Sequence, residues 1–311
     1  ADIAIKIGEA PTERTGLIAA SGLILLIVFG IKAAMFPLYL WLPSAYANTS
    51  APVAALFAIM TKIGFYSIVR VHGTIFGANA GELAYFYLPY IIFLGLITIA
   101  LAAFGVMASK ILRQQIAYLV LASVGTLLVG YGIHTTESIG ASLYYLIHST
   151  LLAGGFFLLA DMIIRSRGAS EDALNASSCF ENIPLLGFLF FFVAIAMAGM
   201  PPLSGFFGKI LILYSSLDHP YATAILSVVL ISSFFIIVSL ARSGSKIFYN
   251  VKNDNNHCVT EPLNKNSLIA VLLIFSFSPL MVLFAGDVTT FTLSAAEQLL
   301  DIDTYIKAVI K

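Results

Sequence analysis

Residues 85–108 read YFYLPYIIFLGLITIALAAFGVMA, a continuous apolar stretch without a charged side chain. A helix needs about 20 such residues to cross the hydrocarbon core of a bilayer. A transmembrane β-strand would instead alternate apolar and polar residues, and this stretch does not. Because lipid cannot satisfy exposed backbone groups, the stretch predicts a transmembrane helix.

Seven further stretches have similar length and apolar character. The eight predicted spans are residues 17–40, 51–72, 85–108, 115–132, 138–164, 184–213, 221–241 and 267–290. Most connections are short, but 166–183 and 243–266 are longer and more polar. The sequence therefore predicts an all-α polytopic membrane protein with a single membrane domain over residues 1–311. After Gly286, a surface helix is predicted from apolar residues at helical spacing, namely Phe291, Leu293, Leu299 and Leu300.

The composition of the chain supports this class. Its 311 residues are 59% hydrophobic and 10% charged, against about 45–50% and about 25% in soluble domains. This apolar composition excludes a soluble enzyme, a nucleic-acid-binding domain and a disordered linker. The chain contains 16 basic and 16 acidic residues, so their charges balance. Cys179 and Cys258 have no metal or redox spacing and are predicted to be free thiols. We expect no cofactor, no metal and no enzymatic activity.

Two of the predicted spans contain proline. Pro37 lies in the first span, and Pro201 and Pro202 follow each other in the sixth. Proline removes a backbone donor and clashes with the carbonyl four residues earlier, so each helix should kink or break there. An ordinary packing kink would explain either span alone. A pair of broken helices, one in each half, is typical of transporters built from inverted repeats.

The distribution of basic residues predicts the orientation. Loops after the first, third, fifth and seventh spans contain Lys110, Arg113, Arg165, Arg167, Arg242, Lys246, Lys252 and Lys265. The opposite side contains Lys6, Arg14, Arg70, Lys307 and Lys311. The excess of positive charge predicts that the first group faces the cytoplasm and that both termini face the other side.

Three lysines remain inside predicted spans. Lys32 and Lys62 lie about half-way along theirs, and Lys209 lies nearer the end of the sixth. A lysine at the bilayer centre costs about 2.5–3.5 kcal/mol on insertion scales. Snorkelling to the interface is an alternative for Lys209. Because burial disfavours the charged form of an amine, we interpret the three lysines as part of a proton or cation relay.

His148 is the titratable imidazole predicted at mid-membrane, where it is either a further relay group or a buried hydrogen-bonding residue. Acidic partners are scarce, since Asp161 in the fifth span and Asp287 in the last span both lie near the ends of their spans. A buried cation needs a partner. The sequence therefore predicts that the partner lies outside this chain.

Several motifs carry a family resemblance. They are KAAMFPLYLWLP at 32–43, TKIGFY at 61–66, QIAY at 115–118, YLIHST at 145–150 and AGMPPLSGFFGK at 198–209. They resemble the proton-translocating antiporter-like subunits shared by multisubunit Mrp-type Na⁺/H⁺ antiporters and respiratory complex I. Within that family the chain is most similar to the D subunit of the Mrp, Pha or Mnh antiporters.

The resemblance implies a fourteen-helix inverted-repeat fold, of which this chain would supply the last eight helices. Residues 17–72 would end the first repeat, 85–241 would form the second, and 267–290 would be the final helix. Without an initiator Met or signal pattern, the chain is expected to be processed or a C-terminal part. By motif, Lys32 matches a lysine that pairs with a glutamate on an earlier helix.

The resemblance assigns the remaining relay positions too. Lys62 matches the central lysine, His148 a relay histidine between the half-channels, and Lys209 the terminal lysine or glutamate. Some relatives carry a histidine where Ser123 stands, and others a lysine where Ala153 stands. The middle of the relay would then depend on His148 and water.

Three functions remain open at this point. The first is a subunit of a multisubunit Na⁺ or K⁺/proton antiporter in a bacterial inner membrane, acting with other subunits. The second is a proton-translocating subunit of an NADH:quinone oxidoreductase or hydrogenase-type complex. The third is a membrane scaffold that conducts nothing, which the missing carboxylate favours for this chain taken alone.

Overall fold

The computed structural model describes residues 2–168, 171–176, 180–250 and 263–309, which are almost entirely helical. The α-helices in these ranges are α1 Asp2–Gly8, α2 Thr15–Ala33, α3 Trp41–Ala47, α4 Ala51–Ile75, α5 Leu88–Ala108, α6 Leu112–Ile133, α7 Thr136–Arg167, α8 Ile183–Ala198, α9 Ser204–Ser215, α10 Ala222–Gly244, α11 Lys265–Leu283, α12 Ala285–Leu300 and α13 Ile302–Val309. The predicted free thiols Cys179 and Cys258 lie outside the described residues.

The membrane-spanning elements follow the predicted stretches closely. Within the described ranges, seven helical segments are long and apolar enough to cross a membrane. The predicted sixth span is instead the pair α8 and α9, two shorter apolar helices. The predicted last span, 267–290, was too long, because α11 ends at Leu283 and the chain turns at Phe284 into α12. α12 packs against α7, where Leu293 contacts Gly140.

The first break separates α2 from α3 and contains Pro37. α2 ends at Ala33, and Ala34 adopts the left-handed conformation with φ 60°. The backbone N–H of Phe36 donates to Thr98 Oγ1 at 3.0 Å, and Trp41 Nε1 donates to the carbonyl of Ile31 at 3.0 Å. Neighbouring side chains thus bind backbone groups that the interrupted helix leaves free, as a break in lipid requires.

The second break separates α8 from α9 and contains Pro201 and Pro202. α8 ends where Gly199 takes φ 80°, a conformation that glycine adopts without steric cost. The N–H of Met200 returns to the carbonyl of Ile195 at 3.0 Å, while the two prolines have no N–H to satisfy. The prediction of two helices broken by proline is confirmed.

Helix α6 forms the centre of the molecule. Of its 22 residues, 19 are buried, whereas α2 buries four of its 19. Glycines permit this packing: a Cβ on Gly125 would stand 2.9 Å from the carbonyl oxygen of Gly95 on α5. α6 therefore lies inside a shell of other helices and can carry polar side chains away from lipid.

The loop after α7 is fixed by two arginines. Arg113 forms an ion pair with Asp172 at 2.8 Å. Arg167 donates to backbone carbonyls, among them that of Ala173 at 2.7 Å. Asp161, a carboxylate inside the fifth predicted span, pairs with Arg165 at 2.8 Å.

Candidate functional site

Lys62 lies near the middle of α4 with 3% of its surface exposed. Its ammonium donates to Ser123 Oγ on α6 at 2.7 Å, and that hydroxyl donates onward to the carbonyl of Val120 at 2.6 Å. In the described ranges, the salt bridges formed by Lys and Arg side chains are Arg113–Asp172 and Arg165–Asp161, and neither includes Lys62. Lys62 is therefore a buried amine held by a neutral hydroxyl rather than by a carboxylate.

Lys209 lies on α9 beside the second break, and 8% of its surface is exposed. Its ammonium donates to the carbonyl of Ala198, the last residue of α8, at 2.7 Å and to Ser233 Oγ at 3.2 Å. The C-terminal end of a helix carries partial negative charge, which favours a cation there. A Cβ on Gly199 would stand 3.0 Å from Lys209 Nζ, so the glycine allows the ammonium to reach this helix end.

His148 lies in the middle of α7 and is 1% exposed. Its Nδ1 shares a hydrogen bond with Ser204 Oγ at 2.7 Å, and Ser204 Oγ shares another with Ser278 Oγ at 2.8 Å. Its Nε2 is buried and has no hydrogen-bond partner among the described residues. Ser204, which is itself bonded to Ser278, therefore holds one nitrogen of the imidazole, and the other nitrogen makes no hydrogen bond to the described residues.

Gly205 makes room for this imidazole. A Cβ built on Gly205 would stand 2.8 Å from His148 Nε2 and would overlap the carbonyl oxygen of Ala196. Because that oxygen belongs to the backbone, α8 and α9 would have to separate to admit a methyl group. Only glycine allows the two half-helices and His148 to meet as they do.

The variant Gly205→Ala is expected to destabilise the protein by about 1–3 kcal/mol, as overpacking in a filled core does. Gly187→Ala on α8 is the matched control, since its Cβ would meet the ring of Phe248 at an ordinary 3.5 Å. Thermal unfolding of the purified protein in detergent measures both. Equal midpoints for the two variants would contradict the close contact at Gly205.

The structure places Lys32 apart from the other three predicted relay residues. Its side chain is exposed at the last turn of α2, directly before the first break. The backbone of Lys32 and Ala33 packs on α4, where a Cβ on Gly64 would overlap the Ala33 nitrogen. Lys32 is therefore adjacent to the helix of Lys62, with its amine on the surface of the described chain.

The other three residues lie around α6, α7 and the second break. His148 bonds Ser204 at the start of α9, and Lys209 bonds the carbonyl of Ala198 at the end of α8, so both contact the helix ends beside the second break. The hydroxyl partners Ser123, Ser204, Ser233 and Ser278 were not assigned roles from the sequence. Ser278 could have been identified as a candidate from the sequence, because it is a polar residue directly before Pro279 inside an apolar span.

The sequence of the chain matches a known family. The model described as "NADH:quinone oxidoreductase/Mrp antiporter, TM" matches residues 7–236. The chain belongs to this family. The family predicted from the motifs is thus confirmed, and the protein is a multi-pass membrane protein.

Named members of the family are similar over much of the chain. The D subunit of the Na⁺/H⁺ antiporter of Bacillus subtilis (strain 168) is 35% identical, with 100% of this chain and 62% of that protein aligned. The D subunit of the probable K⁺/H⁺ antiporter of Rhizobium meliloti (strain 1021) is 34% identical over 80% of this chain and 51% of its own length. The chain therefore spans between about half and two thirds of these relatives.

The fold has a counterpart among solved structures. A chain in the Mrp complex from Dietzia sp. DQ12-45-1b matches with a TM-score of 0.83 at 22% sequence identity. The match covers 99% of this chain and 66% of that one. The predicted antiporter-type fold is confirmed by this likeness.

Proposed function

We propose that this chain is the D subunit of a multisubunit monovalent cation/proton antiporter. In this function Lys32, Lys62, His148 and Lys209 carry protons across the middle of the membrane while Na⁺ or K⁺ leaves the cell. The observation that carries the proposal is the group of three buried nitrogen bases, Lys62, His148 and Lys209, held only by neutral partners.

The neutral partners of these three bases are compatible with proton transfer. A carboxylate beside a buried amine would stabilise its charged form and hold the proton in place. Ser123 Oγ can instead accept from an ammonium or donate to a neutral amine, because a hydroxyl is both donor and acceptor. The same holds for Ser204 at His148 and for Ser233 at Lys209. Each base can therefore change its protonation state without losing its hydrogen bond.

The two helix breaks support a repeated architecture. Lys32 directly precedes the first break, and Lys209 follows the second and donates back to the end of α8. We assign 17–72 to the end of a first repeat, 85–241 to a second and 267–290 to a final segment. In this assignment each repeat contributes one broken helix and one lysine beside it.

We also propose that this chain contacts other subunits of a complex. The exposed amine of Lys32 lies on a surface where α2 also exposes Ile24, Ile27 and Ile31. A lysine at this depth needs an acidic or polar partner. Such a partner would come from a neighbouring segment of a hetero-oligomeric complex in a bacterial inner membrane.

Cation-dependent proton exchange in everted membrane vesicles tests the function. The complete gene cluster is expressed in cells without other Na⁺/H⁺ and K⁺/H⁺ antiporters, and respiration acidifies the vesicle interior. Addition of Na⁺ or K⁺ is expected to dissipate part of the pH gradient, and vesicles without the cluster serve as control. No response to either ion would contradict the antiporter.

A second function shares the same geometry. The family description names NADH:quinone oxidoreductase beside the Mrp antiporter, so a redox-driven proton-translocating subunit uses the same kind of relay. In that case NADH oxidation by the complex reconstituted into sealed vesicles would build a pH gradient, and Na⁺ or K⁺ would not dissipate it. A scaffold without transport would give neither response.

A further inference from the structure

A second cavity lies at one end of the helix bundle, where α5 and α10 end and α6 begins. It encloses about 450 Å³, a volume within the range of about 300–1,000 Å³ that ligand pockets have. Its walls come from the turn between α5 and α6, the loop after α7 and the end of α10. None of the four predicted relay residues lines it, so it is separate from the site described above.

The charge of this cavity is positive. Lys110, Arg242 and Lys246 line it, and no carboxylate of the described residues does. Lys110 and Arg242 are exposed, Lys246 is half-buried, and none of them forms a salt bridge within the described ranges. Three cations that converge without a counter-ion favour an anionic ligand.

The wall opposite α10 is fixed by backbone hydrogen bonds. The N–H of Leu174 donates to the carbonyl of Lys110 at 2.9 Å, and the N–H of Leu112 donates to the carbonyl of Asp172 at 2.7 Å. Arg167 also donates to the carbonyl of Asn175 at 2.9 Å. The cavity is therefore formed before a ligand enters, which lowers the entropic cost of binding.

The floor of the cavity is polar. Gln115 on α6 is 1% exposed and donates to Ser239 Oγ on α10 at 2.9 Å. Its side-chain oxygen is buried and has no hydrogen-bond partner among the described residues. A floor of this kind suits a polar headgroup rather than an acyl chain.

An exposed apolar surface adjoins the cavity on the same two helices. On α10, Phe234, Val238 and Arg242 follow each other at intervals of four residues and so share one face, and the first two are exposed. On α5, Phe104 and Met107 are exposed one turn apart, and Met107 also lines the cavity. The positive end of this surface is thus continuous with a face that lipid chains can cover.

We propose that the cavity binds the headgroup of an anionic phospholipid, with its phosphate among Lys110, Arg242 and Lys246 and its acyl chains along α5 and α10. Basic pockets between transmembrane helices are known to hold such headgroups. A free phosphate would use the three cations but not the apolar face, so the observations favour the lipid. This inference goes beyond the proposed transport function and does not depend on it.

Photolabelling of the intact complex tests the proposal. The complex is reconstituted into phosphatidylcholine vesicles that contain a small fraction of phosphatidylglycerol with a diazirine in its acyl chain, close to the headgroup. After illumination, mass spectrometry of peptides locates the label. We expect it on the exposed residues Met107 and Val238, and the same diazirine on phosphatidylcholine should label them much less. Equal labelling by the two lipids would contradict an anionic site.

The basic side chains give the decisive variants. Arg242→Gln and Lys246→Gln should each raise the lipid fraction needed for half-maximal labelling about fivefold, and together about 25-fold, because that is the worth of one cation near an anionic headgroup. Lys265→Gln is the matched control, since Lys265 is exposed at the start of α11 and does not line the cavity. Arg242→Lys keeps the charge and should retain most of the labelling. Equal values for Lys246→Gln and Lys265→Gln would overturn the site.

Inorganic phosphate separates the two possible sources of the anion. Replacement of chloride by phosphate at constant ionic strength should leave the labelling of Met107 and Val238 unchanged, because the acyl chains hold the lipid in place. If phosphate abolishes the labelling, the cavity is a site for the free anion and the lipid proposal is wrong. Cation-dependent proton exchange is measured separately, so its absence would remove the proposed function without affecting this result.

Discussion

Lys62→Ala is expected to lower cation-dependent proton exchange by about 1,000-fold, within the range that a positioned proton-transfer group contributes. The physical reason is its position, since it is the buried amine of α4 and its contact with Ser123 joins two helices at mid-membrane. The amount of complex in the membrane should not change. The measurement is the everted-vesicle assay, with Lys265→Ala as control because Lys265 is exposed at the start of α11.

Because Lys62 is a buried amine, we expect that its replacement removes exchange without lowering the stability of the folded protein. A lysine at the bilayer centre costs about 2.5–3.5 kcal/mol on insertion scales, and methionine has similar length without the charge. Lys62→Met should therefore unfold at the same or a higher temperature than the unmodified protein while losing exchange. A clear drop in unfolding temperature would show that Lys62 has a structural role, and normal exchange would contradict the relay.

His148→Gln has the second largest expected effect, a loss of exchange of about 100-fold. Glutamine retains groups that can hydrogen-bond to Ser204, but it cannot take up a proton at neutral pH. Initial rates of exchange in vesicles measure the loss. His219→Gln in the loop after α9 is the control, where His219 accepts a hydrogen bond from the backbone of Tyr221, and there the rate should not change.

The two serines beside His148 predict a graded result in the same assay. Ser278→Ala should slow exchange less than His148→Gln, because Ser204 still bonds the imidazole at 2.7 Å after Ser278 is removed. Ser276→Ala provides a control two residues away on α11, where the exposed hydroxyl donates to the carbonyl of Leu273. Equal rates in the two serine variants would mean that Ser278 does not position His148.

The fold could be predicted from the sequence to the extent that lipid imposes it. Long apolar runs located the spans, and the prolines located both breaks. The end of the last span was wrong because apolar residues continue beyond Leu283, while the turn at Phe284 depends on how α12 packs against α7. The short helix α3, which lies between the first two predicted spans, was not predicted, because nothing in its apolar sequence distinguishes it.

The site residues that could be predicted from the sequence are the titratable side chains, because such groups are costly to bury in an apolar span. Lys62, His148 and Lys209 are conspicuous among apolar residues, and all three are buried in the structure. Their hydroxyl partners were not predictable, because serines at 123, 204, 233 and 278 lie far apart in sequence and meet only through helix packing. The exposure of Lys32 was missed for a related reason: position along a span does not reveal which face of the helix a residue occupies.

The enclosure of α6 has a consequence for how the bilayer acts on this protein. Because 19 of its 22 residues are buried among other helices, α6 has almost no lipid contact. A change in bilayer thickness, tension or lipid composition therefore reaches Ser123 and Thr126 only after it has moved the surrounding helices. The polar side chains of α6 are therefore shielded from direct contact with lipid, and a substitution at any of its 19 buried positions changes the protein interior.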